Sequence, residues 1–140
     1  MALSELFNLA PIDIPMHAPP GEAPKLAKGW GHISISHCNN ALLIGWSLNK
    51  LGIDIENANR SLQLEPLANR FLSRKENHDV KTSSEITFYK NILSRWVIKE
   101  AAIKWQRGNL FKDLREWEID KNCKYAYHKS LGIKVNIHLI

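Results

Sequence analysis

The sequence predicts an α+β protein in which an antiparallel sheet packs against one long helix and a shorter one. Three observations carry this expectation. The run HISISH at residues 32–37 alternates apolar and polar side chains, and a second strand-like run, ALLIGWSL, follows it across Asn39-Asn40. Apolar residues recur at helical spacing from roughly 84 to 106, with Ile86, Tyr89, Leu93, Trp96 and Val97 sharing a face. The tail beyond about Trp117 holds two more strand-like runs, KYAYH and IKVNIHLI, separated by Lys129-Ser130-Leu131-Gly132.

At 140 residues the chain is expected to form a single domain over 1–140. Five Trp, four Phe and three Tyr are too many for a disordered polar chain. The longest apolar stretch, Ala41 to Trp46, falls far short of the about 20 residues that span a bilayer, so no membrane partner is expected. The start MALSELFNLAPIDIP lacks the basic end and long apolar run of a secretory signal. Cys38 and Cys123 make neither a disulfide framework nor a zinc site. The chain reads as cytoplasmic.

Residues 1–29, with Pro19-Pro20-Gly21, read as an extended lead-in. In HISISH, Ile33 and Ile35 point one way and Ser34 and Ser36 the other. Leu51-Gly52 breaks the second run, and IDIE follows as the third strand of a meander. Leu62, Leu64, Leu67, Ala68, Phe71 and Leu72 predict a short helix near 64–72. Ser83-Ser84 offers a cap for the long helix, and Gly108 its stop.

Charge is unevenly spread. Residues 1–70 carry 5 basic and 6 acidic side chains, and residues 71–140 carry 14 and 8. A net of +6 in the second half points to a negative partner: nucleic acid, a phosphorylated small molecule or an acidic protein. Nucleic acid ranks last, because such a surface wants basic residues interleaved with exposed aromatics and Trp96 sits on the expected core face.

Two placements conflict with simple packing. On the long helix, Glu100 and Lys104 each fall within about 20° of the Leu93 direction, at the centre of the apolar face. Lys99 and Arg95 fall about 120° and 160° away, where charges belong. A surface Glu-to-Lys pair at i,i+4, worth about 0.2–0.5 kcal/mol, accounts for the spacing but not for the placement. Charges amid core residues must be paired, bound to an ion or turned to a cleft. In GIDIE, Ile53 and Ile55 point one way and Asp54 and Glu56 the other. Two neighbouring carboxylates are either a solvated strand face or the start of a site for a hard cation such as Mg²⁺. His37 stands beside the turn as a core or turn residue, or as a donor to a phosphate.

Three blocks occur in order: Ser36-His37, then Gly52-Ile53-Asp54-Ile55-Glu56, then Trp96 to Lys104 reading WVIKEAAIK. They resemble the signature blocks of the 4′-phosphopantetheinyl transferases, the second matching G-[IV]-D-[IV]-E and the third W-x-x-K-E-[AS]-x-x-K. Arg70 to Glu76, RFLSRKE, looks like that family's R-F-[FL]-S-x-x-E stretch. The resemblance covers roughly residues 19–118. It implies Mg²⁺-dependent transfer of 4′-phosphopantetheine from coenzyme A to a serine of an acyl or peptidyl carrier protein, with release of 3′,5′-ADP. By the same resemblance Asp54, Glu56 and Glu100 are the metal carboxylates, and Glu100 is also the general base. Lys104 holds the pyrophosphate, and Ser36 and His37 belong to the coenzyme A site.

The chain also departs from that pattern. Most of the first half of the family's long type is missing. Gly21 to Leu26 resembles the stretch beside the adenine but lacks its lysine at the usual place, which leaves Lys25, Lys28 or a neighbouring subunit as substitutes. The short length implies a homo-oligomer, dimer or trimer, with Leu42, Leu43 and Ile44 as candidate contacts. The rival reading is a non-catalytic relative that binds a carrier protein or nucleotide.

Overall fold

The computed structural model describes residues 2–59, 64–81 and 85–140. In chain order the elements are α1 (Ala2–Phe7), a 3₁₀ turn (Pro11–Asp13), β1 (Met16–His17), β2 (Lys25–Leu26), β3 (His32–Cys38) and β4 (Ala41–Ser47). The helices α2 (Leu64–Phe71), α3 (Arg74–Lys81), α4 (Glu85–Gln106) and α5 (Leu110–Asp113) follow. The strands β5 (Trp117–Ile119), β6 (Tyr125–His128) and β7 (Ile133–Asn136) complete the order. The α+β class holds, but the strands form three small antiparallel sheets, β1-β2, β3-β4 and β5-β6-β7, rather than one. The cap expected at Ser83-Ser84 lies outside the described residues.

The expected lead-in is only partly extended. It opens with a helix because Phe7 has somewhere to dock: its ring meets Trp30 and Trp46 edge-on, with centroids 5.2 and 5.6 Å away. Trp46 in turn donates its indole N–H to the Trp30 carbonyl at 2.7 Å. Pro19 to Glu22 then turns the chain between β1 and β2, with Gly21 at φ 80°.

The β3–β4 hairpin closes through Asn39-Asn40 as expected, pairing Ile35 with Ile44 and Cys38 with Ala41. The third meander strand does not form. Residues 51–57 join no ladder, and the Ile53 and Ile55 amides are taken by serine side chains of β3 instead of its backbone.

Helix α4 is the centre of the molecule, and its buried face is not the one its apolar spacing suggests. Ile92, Arg95, Ile98, Lys99, Ala102 and Ile103 are buried, whereas Leu93, Trp96, Val97, Glu100 and Lys104 are half-exposed. One core cluster joins Ile98, Ala102 and Ile103 to Trp117, Ile119 and Ala126 of the three-stranded sheet. A second joins Ile92 to Ala68, Phe71, Leu72 and Val80 of α2, α3 and their connection. With packing on several sides, α4 has no single apolar stripe to read.

Two cations lie inside this core because a buried carboxylate meets them. Glu76 accepts from Lys99 Nζ at 2.8 Å, and Arg95 Nη1 stands 3.8 Å from its other oxygen. Lys99 also donates to the carbonyls of Phe71 (2.7 Å) and Leu114 (3.1 Å), so each of its three protons has an acceptor. Burial holds its pKa below the ordinary lysine value of 10.5, and Glu76 pulls it part of the way back. Glu76 serves α3 at the same time. Its carboxylate accepts from Ser73 N (2.8 Å) while Ser73 Oγ accepts from Glu76 N (3.2 Å), the reciprocal bonds of a capping box.

Among the described residues no helix is long and apolar enough to cross a membrane.

Candidate active site

The site begins with how segment 51–57 is held. Ser34 Oγ accepts from Ile53 N at 3.1 Å and Ser36 Oγ from Ile55 N at 3.3 Å, so two hydroxyls of β3 carry the segment over the hairpin. Gly45 makes room on the hairpin, where a Cβ would come within 2.9 Å of Leu51 and 3.1 Å of Ile53. Gly52 makes room on the other side, where a Cβ would collide with the Ala101 carbonyl oxygen and the Trp105 backbone nitrogen. The segment is thus pressed between the hairpin and the half-exposed face of α4. That explains why GIDIE begins with glycine.

This sandwich brings three sequence-expected residues together. Ser36 Oγ donates to Asp54 Oδ1 at 2.6 Å, and Lys104 Nζ donates to the same carboxylate oxygen at 2.6 Å and to Ser36 Oγ at 2.9 Å. Residues 36, 54 and 104 come from a strand, an unladdered segment and a helix, yet form one closed triangle. Asp54 is buried, with its side chain 3% exposed, whereas Lys104 reaches solvent at 31%. The second Asp54 oxygen, Oδ2, is buried and has no hydrogen-bond partner among the described residues. An unmet carboxylate oxygen is costly, about 1–3 kcal/mol or more, unless something positive completes it.

The other expected residues stand as follows. Glu56 and Glu100 are half-exposed and each already interacts with neighbours. Among the described residues no three His, Cys, Asp or Glu side chains are grouped to hold a metal. His37 is exposed, one residue beyond Ser36 and so on the opposite face of β3. Lys99, a residue of the same helical block, belongs to the core pair with Glu76.

A cleft of about 490 Å³ is lined by Lys25, Lys28, His32 and Arg107 together with the β2–β3 turn. A smaller one of about 160 Å³ is lined by Lys50, Lys104, His32 and Arg107. His32 and Arg107 line both, and Lys104 of the triangle lines the smaller one. Lys25 is paired with Glu22 at 3.5 Å across the surface. The structure therefore adds Lys50 and Arg107 to the expected cations, and the His32 imidazole beside them. None carries a sequence signal, because each comes from a different segment and only the fold collects them.

The arrangement can hold a chain of phosphates. Ammonium and guanidinium groups line the two clefts, and one of them, Lys104, is paired with a buried carboxylate. A model of the 4′-phosphopantetheinyl transferase superfamily matches residues 50–138. No curated protein matches the chain.

Proposed function

The chain belongs to the 4′-phosphopantetheinyl transferase superfamily, and from that premise we propose that it moves 4′-phosphopantetheine from coenzyme A to a carrier-protein serine. The observation that carries this reading is the Ser36–Asp54–Lys104 triangle, whose lysine lines a basic cleft. Lys104 is placed to leave Asp54 for the pyrophosphate, and Lys25 and Lys28 lie farther along the groove for the nucleotide. Glu100, one turn before Lys104 on α4, is the base that takes the serine proton as the oxygen attacks the β-phosphorus. The bond from that phosphorus to the bridging oxygen then breaks, and 3′,5′-ADP leaves with its charge met by Lys104.

Mg²⁺ suits the residues present. The donors are carboxylates, and Asp54 Oδ2 is a buried oxygen that lacks a partner among the described residues. Mg²⁺ is commonly held by one or two carboxylates together with substrate phosphates, so a preassembled set of three is not required. Asp54 and Glu56 would hold it, with Glu100 of α4 as the third carboxylate. Bound there, it would neutralise charge on the pyrophosphate oxygens.

The net +6 of the second half supports an acidic acyl or peptidyl carrier protein as acceptor. Exposure of Leu42, Leu43 and Leu48 on and beside β4 supports a homo-oligomer, dimer or trimer, whose second subunit completes the wall of the groove. The second reading, a non-catalytic relative, draws on the absence of a grouped set of three carboxylates among the described residues.

Mass spectrometry of an apo carrier protein incubated with coenzyme A, Mg²⁺ and this protein separates the two. A phosphopantetheine adduct formed by the wild type and lost in Glu100→Gln supports transfer. Coenzyme A binding without adduct supports the non-catalytic relative.

A further inference from the structure

Arg107 follows the last residue of α4 and turns the chain. Its N–H bonds to the Lys104 carbonyl at 3.2 Å, and Gly108 N reaches back to the Ile103 carbonyl at 3.0 Å. The residue in the left-handed conformation is Arg107, at φ 59°, and not the expected Gly108. That conformation is strained for any residue with a Cβ and is the usual place of glycine at a helix end. The turn would therefore form more readily with glycine at 107.

What the arginine gains is its position. It lines both clefts, with Lys25, Lys28 and His32 on one side and Lys50 and Lys104 on the other. Among the described residues no carboxylate lines the larger cleft. Among the described residues one of its five guanidinium donors is used, by Nη2 on the Pro24 carbonyl at 3.3 Å, which ties the helix end to the lead-in. The rest of the planar fork is free for an oxyanion. At about 490 Å³ the larger cleft has the size of a nucleotide-sized ligand site.

Resting on the transferase reading, we propose that Arg107 is a specificity-determining residue of this chain that binds the 3′-phosphate of coenzyme A. Backbone strain at the end of α4 is retained because a side chain there lines the nucleotide end of the groove and brings a planar fork to it. Lys104 holds the pyrophosphate, and Arg107 reads the phosphate beyond it.

Calorimetric titration of coenzyme A and of 3′-dephospho-coenzyme A into the wild type, Arg107→Gly and Arg107→Lys tests this. Arg107→Gly is expected to melt at a higher temperature, to bind coenzyme A at least about tenfold more weakly, and to bind the dephospho form as the wild type does. Arg107→Lys, which keeps charge but not the fork, should fall between. Unchanged coenzyme A affinity in Arg107→Gly, equal weakening for both ligands, or a lower melting temperature would each overturn the inference and leave the transferase reading standing. A wild type that binds neither ligand would overturn both.

Discussion

Replacing Glu76 with Gln should cost this protein a large part of its stability. The carboxylate takes only donors. Ser73 N and Lys99 Nζ lie at 2.8 Å from Oε2, while Ile119 N lies at 3.2 Å and Arg95 Nη1 at 3.8 Å from Oε1. A carboxamide supplies one oxygen and one NH₂, so either orientation sets an N–H against other N–H groups. Lys99, fully buried, loses the charge opposite it in either orientation and, where the NH₂ faces it, keeps only the carbonyls of Phe71 and Leu114. Breaking a buried pair on one side costs about 3–5 kcal/mol, against a total of about 5–15 kcal/mol for a domain. With a urea dependence near 2 kcal/mol per M, the unfolding midpoint should fall by about 1.5–2.5 M. Trp117, buried beside this core, reports the transition by fluorescence. Glu76→Leu combined with Lys99→Met and Arg95→Met should recover part of the loss, because none of the three buried charges is then left without its partner. A midpoint within about 0.3 M of the wild type in Glu76→Gln would refute the reasoning.

The other predictions concern the site and pH. Gly52→Ala should push segment 51–57 off α4 and lower the transfer rate by roughly a hundredfold, with coenzyme A still bound; a near-normal rate in a steady-state assay would count against the sandwich. Lys104→Ala should weaken coenzyme A binding in calorimetry and also lower stability by about 1–3 kcal/mol, since it strips the buried Asp54 of its cation. Lys99 titrates below 10.5 in the folded chain, so between that depressed value and 10.5 the unfolded chain holds more protons. Stability should therefore rise with pH across that window in the wild type. Lys99→Met, measured by urea melts at several pH values, should lack this slope.

Much of the architecture could be read before any coordinates. The alternation in HISISH and the apolar run after Asn39-Asn40 place the hairpin, and the spacing of Ile86 to Val97 places the long helix. Ser36, Asp54 and Lys104 were legible because their blocks resemble a known pattern, and the structure joins them. Other features depended on distant partners. Nothing local marks Lys99 and Arg95 as buried, because the carboxylate that permits it, Glu76, lies 23 residues from Lys99. The helix at Ala2–Phe7 depends on two tryptophans far along the chain. Strand Trp117–Ile119 is only three residues long, too short for alternation to show. The Arg107 turn defeats a rule that looks for glycine.

The two serine hydroxyls that carry segment 51–57 also set how readily it opens. A strand in a ladder is released only when its neighbours open too, whereas the Ile53 and Ile55 amides depend on one rotatable hydroxyl each. Their hydrogen exchange should therefore proceed through small local openings, well below the free energy of global unfolding, while amides along β3 and β4 remain protected. Because Asp54 lies between those two amides, each such opening carries the carboxylate away from Lys104. The segment can thus breathe at the site without any cost to the fold that surrounds it.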